Sequence, residues 1–331
     1  MTITTATGDA RKQNSYNLTA APQGAALMHP KTQPMSDTQT EAWTTQKLLQ
    51  WTKDFFTKKG SDAPLLAAEV LLATALDCQR IDLYAKFNEV PVEPQLGTFR
   101  AWVKRHGAGE PVAYLVGHKE FYSLKFNVSS DVLIPRPETE HLVMAALDCV
   151  SKLPETTGTP KIADVGTGSG CIGVTLAKQL DSVAVVAADI SPAALSVAAS
   201  NVEMHEVGEK VQLVESDLLS ALPVDQMFDV IVSNPPYVGR KEVETVDENV
   251  ANFEPELALF GGEEGTEIIA RLIEQAASRL VAGGFLIFEL SPMIADACAS
   301  LVEGQGGFEL VELQKDYAGH KRLVIAQRKS N

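Results

Sequence analysis

Ile162-Ala163-Asp164-Val165-Gly166-Thr167-Gly168-Ser169-Gly170 reads as a strand that runs into a glycine turn and then a helix. Glycine tolerates positive φ and lets a ligand lie against bare backbone. In a doubly wound sheet the mononucleotide half binds its ligand at such a turn, at the carboxyl ends of the strands. Gly168, Gly170 and Gly173 also satisfy G-x-G-x-x-G, so the loop by itself fits a dinucleotide as well as another adenosine-containing cofactor.

Outward from this loop, strand and helix patterns alternate. Strands are predicted over 161–165, 183–189, 211–216, 228–233, 285–290, 308–313 and 322–326, with helices over 170–180, 192–205, 265–280 and 292–302. Repeated β-α-β order predicts a parallel sheet covered on both faces. No helix fits between the last two strands, so the final one is expected to run antiparallel.

The second strand ends at Asp189, where an acid can accept both hydroxyl protons of a ribose. Asp217 follows the third strand and is placed either to receive an adenine amino group or to cap a helix. The fourth strand runs into Asn234-Pro235-Pro236-Tyr237. A strand that stops in two prolines cannot continue its ladder, so the chain turns out at the ligand edge. The Asn234 side-chain oxygen and the Pro235 carbonyl are two acceptors, and Tyr237 adds a flat ring. Together they suit a planar group carrying –NH₂. Such a nitrogen is a poor nucleophile, and orientation toward an electrophile can be worth about 7–11 kcal/mol. The matching electrophile is the sulfonium methyl of S-adenosyl-L-methionine; a nicotinamide would gain nothing from this acceptor pair.

Upstream, residues 1–40 are rich in Thr, Gln, Ala and Pro and are predicted to be a disordered extension. Residues 41–114 carry helical periodicity and are predicted to form a small helical domain. Its aromatic residues Trp43, Trp51, Phe55 and Phe56 are expected in the core. Phe121, Tyr122, Leu124, Phe126 and Val128 alternate with polar residues, which predicts a β-hairpin or extended connector, placed over 115–138, and 139–331 form the sheet domain.

The chain has 331 residues, 28 Lys+Arg against 43 Asp+Glu, and a formal charge of −15. Its 45% hydrophobic and 21% charged residues are those of a soluble globular protein. The acidic balance argues against a long phosphate backbone as partner, so no stable nucleic-acid binding is expected. No apolar run reaches membrane-spanning length, and no secretory signal is read. The four cysteines are scattered, which argues against a disulfide framework or a metal site and for a reducing, cytoplasmic setting.

Asp164 to Gly170 together with Asn234 to Tyr237 resembles the class I methyltransferases that act on planar nitrogen. Ile134-Pro135-Arg136-Pro137-Glu138-Thr139-Glu140 narrows the resemblance to the HemK/PrmC family of protein-glutamine N5 methyltransferases. The segments 109–114, 253–259 and 316–322 extend it, over about 35–328. The resemblance implies an α/β class I fold, a doubly wound seven-stranded sheet with its last strand antiparallel. It implies S-adenosyl-L-methionine as cofactor and release factors as protein substrate, methylated on the glutamine of their Gly-Gly-Gln motif. Gly166, Thr167, Gly168, Ser169, Gly170, Asp189, Asp217, Leu218 and Asn234 would hold the cofactor; Asn234, Pro235, Pro236 and Tyr237 would hold and present the amide. No metal is expected, and the enzyme is expected to be a monomer. Two departures stand out: Leu218 where well-known members carry an aromatic residue beside the acid, and Glu289-Leu290-Ser291-Pro292-Met293-Ile294 where the family carries Glu-Ile-Gly-x-x-Gln. An amino-directed DNA or RNA methyltransferase shares the Asn-Pro-Pro-Tyr logic and is the alternative; it must grip strands and extrude a base, which the charge disfavours.

Overall fold

The computed structural model describes residues 42–245 and 247–330; the extension expected over 1–40 lies outside them. From Trp43 onward the described residues form one compact unit. It opens with five helices, α1 (Thr45–Lys58), α2 (Pro64–Ala75), α3 (Arg80–Ala85), α4 (Gln95–His106) and α5 (Val112–Val116). Thr44 caps α1 by accepting from the Lys47 N–H. Pro64 sits in the first turn of α2, where its missing N–H costs nothing. Leu48, Phe56, Leu71, Leu72, Leu83 and Phe99 fill the bundle core.

The aromatic residues divide otherwise than expected. Phe56 is fully buried, whereas Trp43 and Trp51 are each about half exposed. The inward stripe of α1 is Leu48, Thr52 and Phe56, spaced by four. Trp51 and Phe55 fall on the next stripe and stack on each other, with centroids 5.4 Å apart.

A two-stranded hairpin, β1 (His118–Phe121) and β2 (Leu124–Asn127), joins the bundle to the sheet. The expected domain edge at 114 falls inside α5, and the edge at 138 inside a 3-10 turn (Pro137–Thr139). That turn feeds α6 (Glu140–Ser151). There follow β3 (Lys161–Val165), α7 (Cys171–Gln179), β4 (Ala184–Asp189), α8 (Pro192–Met204), β5 (Val211–Glu215) and β6 (Phe228–Ser233). An excursion comes next, β7 (Val238–Gly239), a 3-10 turn (Arg240–Thr245), α9 (Glu248–Phe253), α10 (Glu256–Leu259) and β8 (Phe260–Gly262). The chain closes with α11 (Glu267–Arg279), β9 (Leu280–Glu289), α12 (Ala295–Gly304), β10 (Phe308–Lys315) and β11 (Lys321–Arg328). Pro292 sets a single 3-10 turn before α12, so that helix begins three residues later than its sequence predicts.

Seven strands form the main sheet in the order β10-β11-β9-β6-β3-β4-β5. All pairs among β9, β6, β3, β4 and β5 are parallel, and β11 runs antiparallel to both β9 and β10. The strand order and the reversed last strand are those of a class I methyltransferase. One apolar cluster lies under α6, α7 and the hairpin phenylalanines, and a second lies under α11 and α12 on the opposite face. The chain builds outward from β3 through β4 to β5, then returns to β6 on the other side of β3. This reversal opens a crevice past the carboxyl ends of β3 and β6, where doubly wound sheets bind ligands.

Candidate active site

The register of β3 against β6 sets Val165 opposite Ser233, so the two following loops, at Gly166 and Asn234, emerge side by side. The Ser233 hydroxyl donates to the Val165 carbonyl at 2.7 Å and pins the two strand ends together. Between these loops lies a cleft of about 380 Å³, within the usual size of a small-molecule site.

The glycine loop is braced from below by Asp164, which is fully buried. Its Oδ2 accepts from the Thr167 hydroxyl at 2.6 Å and from the Gly173 N–H at 2.9 Å. Burial pushes the Asp164 carboxyl up to about 6, against the pull of these two hydrogen bonds. Gly166, Gly168 and Gly170 all have positive φ. A Cβ on Gly173 would stand 3.0 Å from Asp164 Oδ2, so the fourth glycine of the pattern serves helix-to-strand packing. From the other side, Asp189 Oδ2 accepts from the Gly168 N–H at 2.8 Å and Oδ1 from the Ser191 N–H at 2.9 Å. Burial raises the Asp189 carboxyl pKa and these backbone donors hold it back. With the Ile190 N–H as a third backbone donor, the carboxylate still keeps lone-pair capacity for a ligand.

Of the residues expected to hold a cofactor, Gly166, Thr167, Gly168, Ser169, Asp189, Asp217, Leu218 and Asn234 all line the cleft. Gly170 stands behind this lining as the residue before α7. Asp217 caps no helix; its carboxylate pairs with Arg271 at 2.5 Å, both side chains about half exposed. Leu218 adopts a left-handed φ of 54°. The fit to an adenosine-containing cofactor rests on bare backbone at Gly166 and Gly168, where an added Cβ would meet nothing within 4 Å. It rests also on the Ser169 hydroxyl, buried in a residue that lines the cleft, with the neighbouring Cys171 thiol as its protein contact.

On the acceptor side, Asn234 and Pro236 line the cleft, Pro235 is buried in the loop, and Tyr237 packs beneath it. The Tyr237 hydroxyl approaches Glu289 Oε1 at 3.4 Å, and its pKa is raised chiefly by burial, then by that carboxylate. The segment after α10 holds this loop closely. A Cβ on Gly261 would lie 2.3 Å from the Pro236 carbonyl oxygen, and one on Gly265 2.3 Å from that of Tyr237. β7 pairs with β8 in the same contact.

The motifs that carry the family resemblance converge here. Arg136 pairs with Glu254 at 2.5 Å, and the Ile134 N–H donates to the other Glu254 oxygen at 3.3 Å. The Tyr114 hydroxyl donates to the Val132 carbonyl at 2.7 Å. The Leu290 N–H donates to the Arg322 carbonyl at 2.9 Å, which draws the 316–322 turn to the end of β9. Asn201, fully buried, donates to the Ser169 and Asn127 carbonyls and ties the connector hairpin to the glycine loop. Sequence reasoning missed the Arg136–Glu254 clamp and the Gly261 and Gly265 cradle. The run Phe260-Gly261-Gly262 with Gly265 was the available signal: glycines clustered that closely mark a tight backbone approach.

A family model described as the PrmC N-terminal domain matches residues 47–117, and one described as the methyltransferase small domain matches residues 145–253. The chain is similar to the release factor glutamine methyltransferase of Rhodopirellula baltica, 49% identical over 295 residues, 89% of this chain and 100% of that protein. It is also similar to the protein of the same name from Koribacter versatilis, 41% identical over 266 residues, 80% of this chain and 92% of that one. Among solved structures, the hMettl16 catalytic domain in complex with MAT2A 3'UTR hairpin 6 has a TM-score of 0.52 at 16% identity, over 68% of this chain and 82% of that chain. That likeness is one of fold alone.

Proposed function

The chain belongs to the release factor glutamine methyltransferase family, and from that membership we propose that it transfers a methyl group from S-adenosyl-L-methionine to the side-chain amide nitrogen, N5, of the glutamine in the Gly-Gly-Gln motif of peptide chain release factors. The observation that carries this reading is the emergence of the Gly166 and Asn234 loops side by side over one cleft. S-adenosyl-L-methionine supplies a methyl group on a positively charged sulfur. Gly166 and Gly168 leave bare backbone against which it would lie, Asp189 would accept from its ribose, and Asp217 and Leu218 would border its base.

The work of the acceptor loop is orientation. The Asn234 Oδ1 and the Pro235 carbonyl accept the two amide protons of the glutamine and point its nitrogen toward the methyl. Once the nitrogen had taken the methyl it would be acidic, and one of the two held protons would pass to water. No strong base is required before that point, and the loop offers none. Pro236 and Tyr237 keep the loop rigid, and the glycines of 261–265 press on it from outside. The helical region over 41–114 is the part we assign to recognition of the protein substrate, with the enzyme acting as a monomer in the cytoplasm. Among the described residues, no helix is long and apolar enough to cross a membrane.

Incubation of release factor with the enzyme and labelled cofactor, followed by peptide mass spectrometry, tests the reading. One added methyl on the side chain of the Gly-Gly-Gln glutamine is expected. Label on another residue, or only on added nucleic acid, would overturn it.

A further inference from the structure

The amide of Asn234 has two ends, and only one of them can serve the reaction proposed above. Its oxygen accepts from a substrate –NH₂; its own –NH₂, turned to the same place, would set donors against donors. The structure contains a device that decides between the two. The β6–β9 register sets Ser233 opposite Phe288, so the next residues, Asn234 and Glu289, are neighbours at the strand ends. Side chains alternate along each strand. Val232 and Ile287 belong to the cluster under α6, so Asn234 and Glu289, two residues further on, both project toward α6. Thr139, in the 3-10 turn that opens α6, meets them there. It is 2% exposed, as is Glu289.

The hydroxyl of Thr139 has one proton. With the Glu289 carboxyl ionised, the state that the Tyr237 hydroxyl and the Arg322 charge also favour, it goes to Oε2, at 2.7 Å. Thr139 Oγ1 is then left only with lone pairs toward Asn234, whose Nδ2 lies 3.2 Å away. A donor is required at that position, so the –NH₂ end of the amide is held against Thr139 and Oδ1 is left for the cleft that Asn234 lines. Tyr237 approaches the other oxygen of Glu289. Burial raises the Glu289 carboxyl pKa, while the Thr139 and Tyr237 hydroxyls and the Arg322 charge oppose that rise.

Resting on the proposed methyl transfer to an amide nitrogen, we propose that Thr139 and Glu289 are positioning residues that act through Asn234: Glu289 fixes the Thr139 hydroxyl as its donor, and Thr139 in turn fixes the Asn234 amide with Oδ1 toward the substrate. Thr139 also borders the cleft, but the task assigned to both residues is to act through Asn234 and not on the reacting atoms. The chain thereby gives the Thr of its Pro-Glu-Thr-Glu segment and the Glu at the end of β9 one shared task in setting acceptor specificity.

Thr139→Val keeps the shape of the side chain and removes the hydroxyl; Thr139→Ser keeps the hydroxyl. Both are measured with full-length enzyme and release factor at saturating S-adenosyl-L-methionine, alongside cofactor affinity by calorimetry and Asn234→Ala as reference. Thr139→Val is expected to lower kcat by roughly tenfold to a hundredfold, the scale of a misplaced reacting group, with cofactor affinity within about twofold of the parent. Thr139→Ser is expected to restore most of kcat. In the Asn234→Ala background, Thr139→Val is expected to add no further loss, because the group it orients is gone. Parental kcat in Thr139→Val, equal impairment of the Ser and Val variants, or a full additional loss in the double variant would each overturn the inference. If Asn234→Ala keeps its rate, the proposed function itself fails; if it loses its rate while Thr139→Val does not, only the positioning role fails.

Discussion

Asn234→Ala removes a single acceptor from the acceptor loop and leaves the glycine loop intact. Methyl transfer should fall at least about a hundredfold, as when a preorganised transition-state hydrogen bond is deleted, while calorimetry should find S-adenosyl-L-methionine bound near its parental affinity. Asp189→Ala should do the reverse. Its carboxylate holds the Gly168 and Ser191 N–H groups as well as facing the cleft, so cofactor affinity should drop tenfold or more, roughly 1.4 kcal/mol per decade. Single residues differ in how plainly they can be read from sequence. Asn234 is legible because two prolines after a strand leave it one direction to go. Thr139 is not. Its hydroxyl matters through Glu289, 150 positions away, and nothing local in a helix-opening threonine announces a partner that distant. Trp51 was misread because periodicity reports that a helix has an apolar face, while the register of Leu48, Thr52 and Phe56 decides which stripe that is.

Between elements, the acceptor loop depends on β8. The Cβ of an alanine at 261 would collide with the Pro236 carbonyl at 2.3 Å and with the Gly265 carbonyl at 2.8 Å. Both are backbone atoms and cannot rotate aside, so the loop itself must shift. Gly261→Ala should therefore lower kcat by about tenfold or more with cofactor affinity preserved; unchanged turnover would show that the loop tolerates the displacement. The long elements of the sheet were legible from their composition and from helical periodicity, since β3, β4 and β6 are mostly apolar and largely buried on both faces. The elements between 238 and 262 were not. α10 has four residues and β7 two, too short for any period to repeat. Their placement comes from tertiary contacts, above all the Arg136–Glu254 pair that binds the segment before α6 to the end of α9.

For the whole molecule, the cleft is assembled around buried carboxylates, and this gives stability a direction with pH. Asp164 titrates near 6 in the folded state, above the range of an exposed carboxylate. The folded state thus binds the proton more tightly than the unfolded chain. The resulting contribution is present below about pH 4 and is lost as pH rises to about 6. Burial raises Asp189 and Glu289 in the same direction. Denaturant unfolding followed between pH 4 and 7 should show this downward trend weakened in Asp164→Asn; an identical trend in the variant would assign the proton to another group. The architecture as a whole was the most legible level of all. A strand, a glycine turn and a helix, repeated with one reversal of direction, leave few sheets to build, and the crevice falls where that reversal occurs.

The most direct test of the acceptor clamp is a crystal structure of the enzyme with S-adenosylhomocysteine and a glutamine-containing release factor peptide. The glutamine amide nitrogen should donate to Asn234 Oδ1 and to the Pro235 carbonyl, each within normal hydrogen-bond distance, with Nδ2 of Asn234 still held by Thr139. An Asn234 side chain turned out of the cleft, or a glutamine bound with its amide nitrogen away from the cofactor sulfur, would contradict it.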